Sequence, residues 1–417
     1  MPRLWDKGQP LDERILRFTA GEDHELDERL VAYDARASVA HARMLADQGL
    51  LGEKDCAAIC TGLTALAAAH AAGEWSIELK DEDAHGALEG RLIEKIGAAG
   101  GRVHLGRSRN DQVLAALRLY LRDAIRELAA ATSRVVGALE RIATEQGEIG
   151  LPGYTHMQPA MPSSVALWAR GFAAELADDA AALERVLVRA DLNPLGSAAG
   201  YGVPNLTIDR EATRAALGFA RNHEPVTAVQ LSRGKAEAAL IFEIALTLGD
   251  LGRLASDVLL FYTSEFAYVT LPEEMTTGSS IMPQKRNPDV FELVRAAGAT
   301  ALGALHETLA LTAKLTSGYH RDLQRLKGPL FRSIDLANDV LAIMAHALPG
   351  VRFRADKIAL APELFAAARA SVPITSSAST PSIRSSGMPI ASIDSSSGST
   401  CARSSSGIGG RFALYAL

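Results

Sequence analysis

The chain of 417 residues is poor in aromatics, at 5%, and contains three cysteines. Cys56, Cys60 and Cys401 are too few for a disulfide framework, and no His/Cys cluster surrounds them to form a zinc site. Cys56 and Cys60 lie one helical turn apart and read as small buried hydrophobes. No run of 18 uncharged apolar residues occurs, which excludes a membrane-spanning helix, and Met1-Pro2-Arg3-Leu4-Trp5-Asp6-Lys7 lacks the apolar centre of a signal peptide. A cytoplasmic location is expected. The 43 basic and 49 acidic residues leave a net charge of −6, with no basic block and no patch of interleaved aromatics, so nucleic acid is not an expected partner.

What is present is apolar and helical. Apolar residues make up 48% of the chain, enough for a substantial core. Alanine and leucine dominate, which favours helices over strands. Residues 1 to about 25 are weakly patterned and read as an arm. From Asp27 to about Gln48, Leu30, Val31, Val39, Met44 and Leu45 recur at helical spacing, and Gly49 ends the run. Further helices are expected from Gly52 to about Ala72, from the acidic start Asp81-Glu82-Asp83, and from the Ser108 region to about Gln146. Another begins near Ser163 or Ser164. The segment from Ala228 to Thr270 reads as one helix of about 40 residues, or about 60 Å. Its apolar residues cover more than one face, too many for a helix bordering water, so it belongs inside a large bundle shared between subunits. Helices from Pro288 to about Leu315 and from Leu330 to Leu348 complete an all-α fold with no convincing strand in its main body.

Three polar clusters interrupt these helices. The first, His104-Leu105-Gly106-Arg107-Ser108-Arg109-Asn110-Asp111-Gln112, delivers arginine, serine and asparagine at a helix start, which suits a carboxylate but equally suits an ordinary solvated cap. In the second, Pro152-Gly153-Tyr154 force a turn that presents Thr155 and His156. His156 could move a proton there, although a lone histidine is more often structural. His85, beside the acidic residues 81–83, is ambiguous in the same way. The glycines at 196, 200 and 202 do not make G-x-G-x-x-G and follow no strand, so a dinucleotide site is not expected.

The third cluster, Thr277-Gly278-Ser279-Ser280-Ile281-Met282-Pro283-Gln284-Lys285-Arg286-Asn287-Pro288-Asp289, is the richest in chemistry. It is neither a P-loop nor a nucleophile elbow. Asn287 as N-cap, Pro288 at the first helical position and Asp289 in the first turn predict a helix start. Free N–H groups, the helix dipole, Lys285 and Arg286 would then face an anion, with a serine hydroxyl beside it.

This loop resembles the Gly-Ser-Ser-x-Met-Pro-x-Lys-x-Asn-Pro signature of the fumarase/aspartase superfamily, whose members eliminate fumarate from substituted succinates. With His104–Val113, Gly153–Gln158 and the Tyr319, Gln324, Lys327 segment, residues 26–368 resemble its argininosuccinate lyase branch. The resemblance implies a fumarase/aspartase-like, three-part chain: an N-terminal helical domain (1–105), a central long-helix bundle (106–350) and the start of a C-terminal helical domain (351–370). It implies a homotetramer whose active sites are shared between subunits. Ser279 is then the general base, with Lys285 lowering its pKa. His156 is the proton donor or holds a water that donates, and Glu292 is its partner. Ser108, Arg109, Asn110, Thr155, Asn287, Tyr319, Gln324 and Lys327 bind the small-molecule substrate, argininosuccinate. No metal or organic cofactor is implied. An adenylosuccinate lyase-like activity and a non-catalytic, crystallin-like role are the alternatives.

Three departures accompany the resemblance. The arm reads Trp5-Asp6-Lys7-Gly8-Gln9 where the branch has W-G-G-R-F, and His320 replaces an asparagine. Residues 371–417 carry fifteen serines and no helical period, the composition of a disordered tail, whether natural or from a frameshift. The helix at Ala361–Arg369 reads as cut off in mid-course.

Overall fold

Helices form the frame, as the abundance of alanine and leucine leads one to expect. The structure, a computed structural model, describes residues 12–365 apart from position 363. The arm at Trp5–Gln9, Cys401, the end of the interrupted helix and the serine-rich segment lie outside the described residues.

The described chain opens with α1 (Glu13–Ala20) and α2 (Asp23–Leu26), where the apolar pattern indicated only an arm. A cap accounts for the difference. The Asp12 carboxylate accepts from the N–H groups of Arg14 and Ile15 at 2.9 and 3.2 Å, which satisfies free donors at the start of α1. A 3₁₀ turn at Asp27–Leu30 leads into α3 (Val31–Asp47), and α4 (Glu53–Ala71) packs back against it. Next come α5 (Ala84–Ile96) and α6 (Arg109–Glu145), 37 residues and about 55 Å long. Between α6 and α7 (Val165–Arg185) stands an antiparallel hairpin of β1 (Gly150–Thr155) and β2 (Gln158–Ser164).

Short elements follow: α8 (Leu187–Ala190), β3 (Leu192–Asn193), α9 (Arg210–Leu217), β4 (Arg221–Asn222) and α10 (Ala228–Leu231). The bundle resumes with α11 (Lys235–Tyr262). After β5 (Val269–Thr270), β6 (Thr277–Gly278) and β7 (Arg286–Asn287) come α12 (Asp289–Thr312), α13 (Lys327–Ala347) and β8 (Arg352–Phe353).

The all-α class holds for the frame, whereas the expectation of no strands is corrected in the connections. Four two-stranded ladders join β1 to β2, β3 to β4, β5 to β8 and β6 to β7 among the described residues. Three of these ladders are only two residues deep and the strands of the fourth are broken by proline and glycine, so no apolar alternation announces them.

The expected 40-residue helix is also corrected. It breaks after α10, and α11 has 28 residues, about 42 Å. Gly234 makes the break at φ 84°, and a Cβ there would lie 2.5 Å from Thr312 Cγ2. Only glycine combines that left-handed conformation with so close a neighbour.

The reading of α11 as a bundle interior is right. Leu240, Ile241, Ile244, Leu248, Leu251, Leu254, Ala255 and Val258 are buried, and α11 packs on α7, α12 and α13. α12 packs closely at Gly252, where a Cβ would touch the Arg295 carbonyl at an ordinary contact distance of 3.5 Å. Among the described residues no helix is long and apolar enough to cross a membrane. Replacing the fully buried Leu251 by alanine removes core contact on a helix shared by three neighbours. Leu251→Ala is expected to cost about 2–5 kcal/mol, read as a lower urea midpoint with unchanged helical circular dichroism before the transition.

Candidate active site

The expected site residues separate into two kinds of place, a buried cavity and two exposed hairpins. The cavity, about 170 Å³, is lined by Arg109 and Asn110 from the start of α6 and by Tyr319, Gln324 and Lys327 from the approach to α13. Ser108 caps α6 directly behind it. Its Oγ accepts from the Asn110 N–H at 3.3 Å, and its own N–H donates to Asp111 Oδ1 at 3.0 Å, closing a capping box. This cap is why two residues 210 positions before Tyr319 can be held rigidly in the wall.

The wall contains acids that composition did not single out. Lys327, 3% exposed, places its Nζ 2.6 Å from Asp27 Oδ1 and 3.1 Å from Asp23 Oδ2. Burial opposes its charge, but the two carboxylates outweigh burial and hold its pKa above the ordinary lysine range. Asp23 is the outer acid of this pair. Burial pushes its pKa up to about 6, against the pull of Lys327 and with the help of Asp27's like charge.

Arg109 is ion-paired with Asp83 and stands 3.8 Å from Glu82. His85 Nε2 lies 3.0 Å from the same Asp83 carboxylate. Burial works to raise the Asp83 pKa, but His85 and Arg109 overcome it and hold that carboxyl well below its usual range. Gln324 donates through Nε2 to the carbonyls of Thr19 and Ala20 at 3.0 and 3.1 Å, so the end of α1 closes the wall.

Asp23, Asp83, His85, Arg233 and Arg321 therefore complete a lining that the motifs only half described. The acidic run 81–83 with His85 was a visible signal whose reading stayed open. Asp23 fell in the supposed arm, and Arg233 carried no signal at all.

The other expected residues are not in this cavity. Thr155 and His156 stand exposed at the tip of the β1–β2 hairpin. Thr155 pairs with Gln158, so His156 and Met157 are the two central turn residues, and both are left-handed at φ 52° and 61°. That is the type I′ pattern, usually filled by Asn-Gly. Holding two ordinary L-residues there costs about 1–2 kcal/mol each, a strain that fixes where the imidazole projects.

Ser279 and Lys285 lie in the loop bracketed by β6 and β7. The Ser279 Oγ accepts from the N–H groups of Ile281 and Met282 at 3.4 and 3.3 Å. Arg286 is engaged by Glu273 at 2.6 Å, while the exposed Lys285 side chain has no partner among the described residues. Asn287 is not the helix cap expected for it. Its pairing with Thr277 keeps it in β7, its Nδ2 donates to Thr277 Oγ1 at 3.4 Å, and α12 starts two residues later behind Pro288. Glu292 sits exposed on the first turn of α12, and no contact joins it to His156 within this chain.

Chemically, the cavity offers a zwitterionic, charge-dense wall fitted to a small ligand that carries both carboxylate and cationic groups. The loop offers a hydroxyl whose oxygen already faces two amide donors, an arrangement that favours negative charge on it.

The family model described as lyase matches residues 9–303. An argininosuccinate lyase of Sorangium cellulosum is 48% identical over 372 residues, covering 88% of this chain and 86% of the relative. A solved EDDS lyase in complex with formate superposes with a TM-score of 0.72 at 26% identity, covering 84% of this chain and 69% of that one. A class II fumarase of Schistosoma mansoni shares the fold, with a TM-score of 0.72 at 18% identity and 84% of each chain covered.

The burial of Asp23 yields a pH prediction. A carboxyl whose folded pKa is raised to about 6 contributes stability that is complete below its unfolded value and is lost as pH rises through 6. Asp23→Asn is therefore expected to flatten the part of the stability profile between about pH 4 and pH 6. Thermal melts across that range check it, with the wild type losing relative stability toward pH 6 and the variant holding it.

Proposed function

The chain belongs to the lyase family, within the fumarase/aspartase superfamily, and we propose that it catalyses the reversible β-elimination of argininosuccinate to L-arginine and fumarate, a step of arginine biosynthesis. The observation that supports this best is the convergence of Arg109, Asn110, Tyr319, Gln324 and Lys327 on one cavity from sequence positions more than 200 residues apart. Argininosuccinate carries three carboxylates, an ammonium and a guanidinium. A wall that sets acids and cations side by side matches it in charge.

The difficult step is removal of a weakly acidic proton from the carbon beside a carboxylate, which leaves a dianionic aci-carboxylate. Ser279 serves as the base. A neutral hydroxyl is far too weak, so the alkoxide must be favoured, and the amides of Ile281 and Met282 already point at its oxygen. Lys285, exposed and without a partner among the described residues, adds positive charge when the loop closes over the substrate. Each donor in place before reaction contributes about 3 kcal/mol to stabilising the developing charge. His156 delivers a proton to the departing guanidino nitrogen, directly or through a water, and Glu292 orients its imidazole. The residues on this chain supply the acid–base work and the charge.

For these parts to act together, the exposed hairpins must meet a cavity that they do not line within one chain. Assembly of a homotetramer with shared sites meets that need. Apolar side chains left exposed on the bundle helices support it: Leu167 on α7, Phe242 and Leu246 on α11, and Leu302 and Leu309 on α12. We place the enzyme in the cytoplasm.

Ser279→Ala removes the base and nothing that the bundle packs on. Fumarate release, followed by its ultraviolet absorbance, is expected to fall by at least about 10³-fold while helical content and native mass stay as in the wild type. Near-normal turnover in this variant would assign the base elsewhere.

A further inference from the structure

Cys56 and Cys60 take no part in the proposed reaction, and no residue of α4, the helix that carries them, lines the cavity. Their spacing in the sequence suggests small buried hydrophobes. The structure instead leaves both as free thiols, only half-buried, where α4 packs on α3. The two sulfurs stand 3.9 Å apart and face the Ala42 and Val39 carbonyls of α3 at 3.5 and 4.0 Å. Burial, and after it the neighbouring Cys60, push the Cys56 pKa up to about 11, so Cys56 keeps its proton at neutral pH.

Two thiols this close can join each other or join a third atom, and the helix decides between the two. A disulfide needs Cβ atoms about 3.5–4.5 Å apart. Residues one turn apart on a helix hold theirs about 5–6 Å apart, so a direct bond would distort the start of α4. A bridging atom removes the difficulty by adding a second bond length. For bonds of about 2.3 Å, the zinc–thiolate length, two sulfurs on a centre with tetrahedral angles stand ~3.8 Å apart and two on a linear centre ~4.6 Å. The observed 3.9 Å fits the bent bridge with little movement of either sulfur.

That bridge has two protein ligands to work with. Among the described residues no group of three His, Cys, Asp or Glu side chains is placed to hold a metal ion, which does not match a closed zinc site with its four ligands. A soft centre with only two exchangeable positions does match, since soft centres select sulfur. Monosubstituted trivalent arsenic is such a centre, because its third bond is to carbon. We propose that Cys56 and Cys60 together form a dithiol site for monosubstituted trivalent arsenicals, separate from the cavity and independent of the reaction proposed above. The step needs no oxidant. Each sulfur bonds to arsenic as an arsenic–hydroxide bond breaks, and each thiol proton leaves with that hydroxide as water. Two waters are released, and neither arsenic nor sulfur changes oxidation state.

Phenylarsine oxide, added to the full-length protein and followed by intact mass, tests this. The wild type is expected to take up one phenylarsenic group that survives an excess of a monothiol and is stripped by 2,3-dimercaptopropanol, with helical circular dichroism unchanged. Because two bonds hold the group, C56S and C60S should each bind it at least about 10²-fold more weakly and release it to the monothiol. C401S should bind as the wild type does. Peptide mapping of the wild-type adduct should find Cys56 and Cys60 both protected from alkylation, a result that does not depend on any variant folding.

A wild-type adduct that the monothiol removes would overturn the proposal. So would an adduct that persists undiminished in C56S and C60S, one that maps to Cys401, or one that forms only with loss of helical circular dichroism.

Discussion

A lysine ammonium cannot be left bare inside a protein, and much of the cavity is arranged around that constraint. Lys327 begins α13, and its charge is met by Asp27 and Asp23, some 300 residues earlier in the chain. Asp27 in turn accepts from the Ala84 N–H at 3.3 Å, which ties in the start of α5. There Asp83 caps the helix by accepting from the Gly86 N–H at 2.8 Å while pairing with Arg109 and His85. Four segments distant in sequence are thereby drawn to one point. Such a network is not a reliable source of stability, because desolvating several charges offsets much of their attraction. What it supplies is position: Lys327, Asp83 and Arg109 each have a partner that fixes their place, so this part of the wall stands ready before any ligand arrives.

The groups proposed to carry the chemistry are placed in the opposite way. Ser279, Lys285 and His156 are carried on short hairpins that project from the bundle, with their side chains exposed or half-exposed. The division has a physical logic. A binding wall gains from rigidity, whereas a base that must exclude water gains from a segment that can close. The hairpins are still not slack. Left-handed residues fix the tip that bears His156, and the β6–β7 ladder fixes both ends of the loop that bears Ser279. In the assembly proposed above, rigid bundle and projecting hairpins become one site when exposed surfaces of several chains come together, a reading that the apolar residues left on α7, α11 and α12 support.

Much of this was legible in the sequence wherever a single local cause sufficed. The helical character of the sequence marked α3, α4 and α6 to within a few residues. Ser164 capped α7 as its residue type suggests, with Oγ accepting from the Leu167 N–H at 3.2 Å. The loop motif singled out Ser279 and Lys285 as candidates, because loop chemistry depends on residues adjacent in sequence. The departures came where a distant partner intervenes. Asn287 is drawn into a ladder by Thr277 rather than capping α12, and Gly234 breaks the long apolar run because Thr312 occupies the space beside it.

The sequence by itself therefore determined the helical class, the approximate spans of most of its bundle helices and a candidate reactive loop, since periodicity, caps and adjacent residues are local properties of a chain. Tertiary structure alone decided which charges meet. Whether Asp23 is a surface acid or half of a buried pair with Lys327, and whether Arg233 is a solvated cation or an unsatisfied guanidinium in a cavity wall, depends on which groups folding brings within a few ångströms, and pairing across some 300 residues leaves no periodic trace in the sequence.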